Sequence, residues 1–112
     1  MISADQVMIM VQPVDMRLGI DGLTSLVQQA LQTSACDARV YLFRNRAGNR
    51  LKALRWDGNG VWLCQRRLHQ GKFYWPQPGD TSMVLTAPQF EALVMGLEWQ
   101  RINRTASSHW QV

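Results

Sequence analysis

The sequence predicts an α+β domain, a mainly antiparallel β-meander sheet packed by two amphipathic helices. Apolar residues recur at helical spacing after Gly19 and again after Thr86. Between these stretches the period shortens to that of strands, and Gly- and Asn-bearing segments punctuate it at hairpin intervals. With 112 residues, 46% of them hydrophobic, the chain has material for a single core.

Val7 to Val11 is a short apolar run ended by Pro13, as expected of a strand leading into a turn. Ile20, Leu23, Leu26, Val27, Ala30 and Leu31 form one stripe of a helix, with Thr24, Gln28, Gln29 and Gln32 facing elsewhere. Asp21 is placed to cap its start or to meet its dipole, and Thr33-Ser34-Ala35 reads as the exit loop. Arg39 to Arg44 is a strand, Asn45 to Arg50 a turn, and Leu51 to Trp56 the return strand. Asp57-Gly58-Asn59-Gly60 is a second hairpin turn, since these residues tolerate positive φ. Val61 to Leu68 is the third strand of the meander, and His69-Gln70-Gly71 turns into Lys72-Phe73-Tyr74-Trp75.

If Asn45 pairs with Arg50 and Asp57 with Gly60, then Tyr41, Phe43, Leu54, Trp56, Val61 and Leu63 share the face on which the first helix packs. The opposite face, with Val40, Leu42, Arg44, Leu51, Ala53, Arg55, Trp62, Cys64 and Arg66, reads as mixed. Trp75 to Asp80 is a loop, and Ser82 to Leu85 a short final strand. Thr86 and Gln89 then form a capping box for a second helix whose stripe is Phe90, Leu93, Val94 and Leu97. Residues 1–99 make the domain, and the polar, aperiodic 100–112 is expected to be a loosely ordered tail.

Charge is segregated. Residues 39–72 hold nine bases against one acid, Asp57, a net +8, whereas the first 38 residues hold one base and four acids. Such a field favours a polyanionic partner. Arginine forks suit phosphate oxygens, and a two-stranded ribbon can enter a major groove. Arg44, Arg46, Arg50, Lys52, Arg55, Arg66, Arg67 and Lys72 are therefore the candidate DNA-binding residues. Trp62 and Trp75 are open to two roles, stacking on bases or anchoring a protein partner. Asp15-Met16-Arg17 reads as an ion pair bracing the strand-to-helix turn, with a partner-binding surface as its alternative.

Catalysis finds little support. Asp15, Asp57 and Asp80 sit in or beside turns that already account for them. His69 and His109 are isolated, so no metal or other cofactor is expected. Cys64 lies in a strand pattern and reads as a small hydrophobe, and Cys36 and Cys64 are expected to be reduced. There is no phosphate loop, nucleophile elbow or dinucleotide fingerprint, hence no small-molecule substrate. No apolar run is long enough to cross a membrane, and Met1 to Asp5 lacks a secretory pattern, so the expected location is the cytoplasm.

Several short strings are jointly distinctive. They are Pro13-Val14-Asp15-Met16-Arg17 with Gly19 and Asp21-Gly22-Leu23; Phe43-Arg44-Asn45-Arg46 with Gly48; Trp56-Asp57-Gly58 with Gly60; Gly71, Phe73 and Trp75-Pro76; and Leu85-Thr86 with Gln89 and Trp99. Over about residues 7–101 the chain resembles the TnpB-type accessory proteins, the second open-reading-frame products of the insertion-sequence-sixty-six family of transposable elements. Leu18, Cys64-Gln65 and His69 depart from the usual pattern. The resemblance implies a cytoplasmic bacterial accessory protein of DNA transposition and recombination, working beside a separate transposase and another accessory subunit. The expected function is thus non-catalytic DNA binding through the basic meander. A protein-interaction module bridging the transposase without touching DNA is the alternative.

Overall fold

The computed structural model describes residues 7–31, 39–77 and 82–101. In chain order the elements are β1 (Val7–Met10), α1 (Ile20–Leu31), β2 (Val40–Arg44), β3 (Arg50–Trp56), β4 (Val61–Arg67), β5 (Ser82–Leu85), α2 (Ala87–Val94) and a 3-10 turn at Trp99–Arg101. The five strands form one sheet in the order β4-β3-β2-β1-β5. β2, β3 and β4 are the predicted antiparallel meander. β1 lies beside β2 in parallel, with α1 in the connection between them, because parallel neighbours need a crossover rather than a hairpin. β5 closes the other side of β1 antiparallel.

The hairpin registers follow the turn chemistry. Tyr41 pairs with Leu54 and Arg44 with Leu51, and the Asn45 N–H donates to the Arg50 carbonyl at 3.2 Å. Trp56 pairs with Val61, and the Asp57 N–H donates to the Gly60 carbonyl. Alternation then sends Met8, Met10, Tyr41, Phe43 and Leu54 to one face, where Leu23 and Val27 of α1 pack on them; Trp56, Val61 and Leu63 extend this layer half-buried.

The second face corrects an expectation. It is not simply mixed: Val7, Ile9, Val40, Leu42, Leu51 and Ala53 form a second core under α2, closed by Phe73 and Trp99. Strands covered on both faces read as continuous apolar runs, as VMIM and VYLF do. β4, one of the two edge strands, keeps its outer positions polar and charged, with Gln65, Arg66 and Arg67 exposed.

α2 is eight residues long, too short to persist alone. Buried Phe90, Leu93 and Val94 anchor it, each contributing roughly 1.5–3 kcal/mol on burial. The capping box forms as expected: the Gln89 N–H donates to Thr86 Oγ1, and the Thr86 N–H donates to Gln89 Oε1. The helix stops one turn before the predicted stripe ends. Gly96 takes φ 79°, its N–H donates to the Leu93 carbonyl, and the Leu97 N–H reaches the Ala92 carbonyl. This is a Schellman ending, and it leaves Leu97 exposed rather than in the core. Trp99 is buried instead, at 1% exposure, its indole N–H donating to the Tyr74 carbonyl at 2.7 Å. Thr33-Ser34-Ala35, Cys36, Asp80, His109 and the expected tail beyond Arg101 lie outside the described residues.

Candidate functional site

Asn45 organises the β2–β3 hairpin tip. Its Oδ1 accepts from the N–H groups of Gly48 and Arg50 at 2.9 and 3.0 Å, and its Nδ2 donates to Asn49 Oδ1. Gly48 adopts φ 80° and offers its carbonyl to the Phe73 N–H at 2.8 Å, while the Asn49 carbonyl accepts from the Leu68 N–H. The segment after β4 is thereby stitched to the tip. The stem of Lys72 lies against Gly48, within 3.6 Å of where a Cβ would sit.

This end of the sheet gathers cations. Arg50 and Arg67 are direct cross-strand partners, and Arg66 pairs with Leu51 on the other face. Arg50, Gln65, Arg66 and Arg67 line an open concavity of about 400 Å³. Arg46 projects from the tip and Lys72 flanks it, both exposed. Among the described residues, none of the side chains of Arg46, Arg50, Arg66, Arg67 and Lys72 forms a hydrogen bond or an ion pair. Like charges directly opposite each other on a sheet are destabilising, and here no described carboxylate relieves them.

The other three candidate bases are placed differently. Arg44 is half-buried 6.0 Å from the Trp75 ring centroid, with its Nε shielded and without an acceptor. Burial, and then the charge of Arg46, pushes its pKa down from the ordinary arginine value. Arg55 sits five residues along β3 from Arg50, about 17 Å away at ~3.3 Å per residue, and its Nε likewise lacks an acceptor. Lys52 requires a correction. It is 8% exposed, on the α1 face opposite Phe43, and its Nζ donates to the carbonyls of Met16 and Leu18 at 2.8 Å each. The sequence placed it in a basic strand, but strand alternation turns it inward, where its ammonium closes the Pro13–Gly19 loop.

That loop explains Asp15-Met16-Arg17. The Asp15 carboxylate accepts the backbone N–H of Arg17 and three contacts from its guanidinium, the shortest 2.7 Å. These bonds hold the Asp15 carboxyl at about 2, and they raise the pKa of Arg17. Met16 supplies its carbonyl to Lys52 and packs half-buried against the α1-side core. The Asp15–Arg17 ion pair is thus formed, with the Arg17 side chain itself 90% exposed.

Trp75 donates its indole N–H to the Met10 carbonyl and packs against the α2-side core. Trp62 is 56% exposed at the opposite end of β4, its indole N–H bound to Asp57 Oδ2 at 2.8 Å. Asp57 Oδ1 accepts from the N–H groups of Asn59 and Gly60. The Trp62 bond first, then these two, hold the Asp57 carboxyl below the usual range. Both its oxygens are thus occupied by its own turn. Cys64 is a free, half-buried thiol. Among the described residues no three His, Cys, Asp or Glu side chains converge to hold a metal, and no helix is long and apolar enough to cross a membrane.

Sequence reasoning missed Gln65 in the cationic concavity. It also missed an apolar groove of about 300 Å³ on the α2 face, lined by Leu51, Ala53, Cys64, Phe90, Val94 and Met95 beside Gln65 and Arg66. Alternation along β4 could have placed Gln65 beside Arg67. The groove depends on where α2 stops, which no local pattern marked.

Fold and site together define a small α+β domain that presents a cationic sheet end on a scaffold tied down by its own turns. The chain belongs to the IS66 Orf2-like protein family, whose pattern it matches over residues 5–104. It is accordingly a transposition-associated accessory protein. It is 36% identical to the uncharacterized protein y4jC of Sinorhizobium fredii (strain NBRC 101917 / NGR234) over 99 residues, covering 88% of this chain and 85% of that one. The uncharacterized protein y4hO of the same strain is 33% identical over 91 residues, covering 81% and 79%. No solved structure matches the chain.

Proposed function

We propose that the protein acts in transposition as a non-catalytic DNA-binding accessory of the cytoplasm, holding the phosphate backbone with Arg46, Arg50, Arg66, Arg67 and Lys72 beside its transposase. The observation that carries the reading is the Arg50–Arg67 cross-strand pair, two arginines directly opposite each other on the β3–β4 ladder with no described carboxylate paired to either. A phosphodiester relieves that repulsion and accepts from both forks. The self-bonded state of Asp57 supports the absence of catalysis, since a carboxylate closed by its own turn is not offered to a cation.

Fluorescence anisotropy with duplex DNA of the element ends, over a salt series, tests this. Each phosphate contact adds about 0.9 to the slope of log K against log salt. Arg50→Ala/Arg67→Ala is expected to lower that slope by about 1.8 and to weaken binding uniformly across sequences. Binding without salt dependence, or unchanged in the double variant, overturns the proposal.

A further inference from the structure

A second surface lies on the α2 face, away from the Arg50–Arg67 pair. Two cross-strand pairs line it, Leu51 with Arg66 and Ala53 with Cys64, and the next pair along the same face of the ladder is Arg55 with Trp62. α2 covers β1 and β2 but stops short of β4, so Leu51, Ala53 and Cys64 floor the groove while Phe90, Val94 and Met95 wall it. The large side chains around it are uncovered: Met95 is 61% exposed and Trp62 more than half. Exposed Trp, Met and Arg around an apolar floor is the composition of a protein interface rather than of ordinary surface.

The charges say what kind of segment fits. Arg66 is the charged residue lining the groove, and Arg55 stands beside Trp62 at its far end with an Nε that has no acceptor. Asp57, the carboxylate nearest Trp62 in sequence, has both oxygens engaged. Arg66 and Trp62 are four residues apart on β4, about 13 Å at ~3.3 Å per residue. Two acids eight residues apart on one helix face span about 12 Å at ~1.5 Å per residue.

We infer that this groove docks an acidic amphipathic helix of a protein partner, its apolar stripe on Cys64 and Met95 above the buried Leu51 and Ala53, and its carboxylates meeting Arg66 and Arg55. The groove shares Arg66 with the phosphate-binding end but lies on the opposite sheet face from Arg50 and Arg67, so a docked helix leaves that pair open to DNA.

The probe is a fluorescein-labelled designed helix of roughly sixteen residues, long enough to form in water. It carries leucine at i, i+3, i+4 and i+7 with glutamate eight residues apart, and a matched peptide carries lysine in place of glutamate. The full chain is expected to bind the glutamate peptide in the micromolar range and at least about tenfold more tightly than the lysine peptide. Arg66→Glu should reverse that preference, a result that mere loss of folding cannot produce. Should Arg66→Glu not fold, Met95→Ala at an exposed position is expected to weaken binding of the glutamate peptide severalfold. Arg50→Ala/Arg67→Ala should leave peptide binding unchanged while weakening DNA, which separates failure here from failure of the DNA reading.

Absence of binding up to about 1 mM, equal affinity for both peptides, or a preference that survives Arg66→Glu overturns the inference. So does a self-associated form in sedimentation velocity that the peptide dissolves, which assigns the groove to a second copy. Single-stranded DNA that displaces the peptide equally well from the Arg50→Ala/Arg67→Ala variant assigns Trp62 to base stacking and also overturns it.

Discussion

Lys52 provides the sharpest test of how the structure reassigns the basic meander. Lys52→Met keeps the length and apolar character of the stem but removes the charge and both donors. The Nζ bonds to the Met16 and Leu18 carbonyls, 2.8 Å each, are then lost. A hydrogen bond from a charged donor contributes about 1.5–3 kcal/mol net, so two set an upper bound of roughly 3–6. Two effects reduce this. Burying an ammonium is itself costly, and methionine refunds that term. Met16 and Leu18 are also only half-buried, so their carbonyls can regain water if the loop loosens. The expected loss is therefore about 1–3 kcal/mol, which a domain of this size survives given a typical reserve of about 5–15 kcal/mol. Urea denaturation followed by tryptophan fluorescence should show a midpoint lowered by about 1 M at an unchanged slope. DNA affinity of the folded variant should stay within about twofold of the parent, because the Lys52 ammonium is bonded to the Met16 and Leu18 carbonyls and Lys52 does not line the cationic concavity. A variant of parental stability that binds DNA severalfold more weakly refutes the assignment.

Two further outcomes follow from named contacts. The Asp15 carboxyl should titrate at about 2 by carbon-detected NMR, and Arg17→Ala should return it toward 3.8. Because the folded value is the lower one, the stabilisation from this pair is fully present above about pH 3.8 and is lost as pH falls toward 2; an Asp15 midpoint unmoved by Arg17→Ala counts against the pairing. Gly96→Ala should cost about 1–2 kcal/mol, since φ 79° is strained for an L side chain and a Cβ there lies 3.3 Å from Leu68 Cδ1. Equal urea midpoints for parent and Gly96→Ala would mean that α2 does not depend on its Schellman ending.

Much of the frame was legible because local chemistry decided it. Asn45 and Asp57 set the two hairpin registers through bonds to their own turns, and a register once set fixes every face along β2, β3 and β4. The Thr86–Gln89 capping box needs only four consecutive residues, so it too was visible in advance. The site was legible only in composition. Nine bases in one segment marked a cationic region, but their count treated Lys52, Arg44 and Arg55 as equal to Arg50 and Arg67.

By itself, then, the sequence determined the strands, the turns, the helix starts and the sign of the field, because each rests on neighbours within a few residues. Only the tertiary structure decided that β1 joins β2 in parallel and that both sheet faces are packed. It alone bonded one lysine to the 13–19 loop and left a groove open on the α2 face beside β4. Those outcomes depend on which element covers which strand, a contest of burial between residues distant in the chain that no short window of sequence contains.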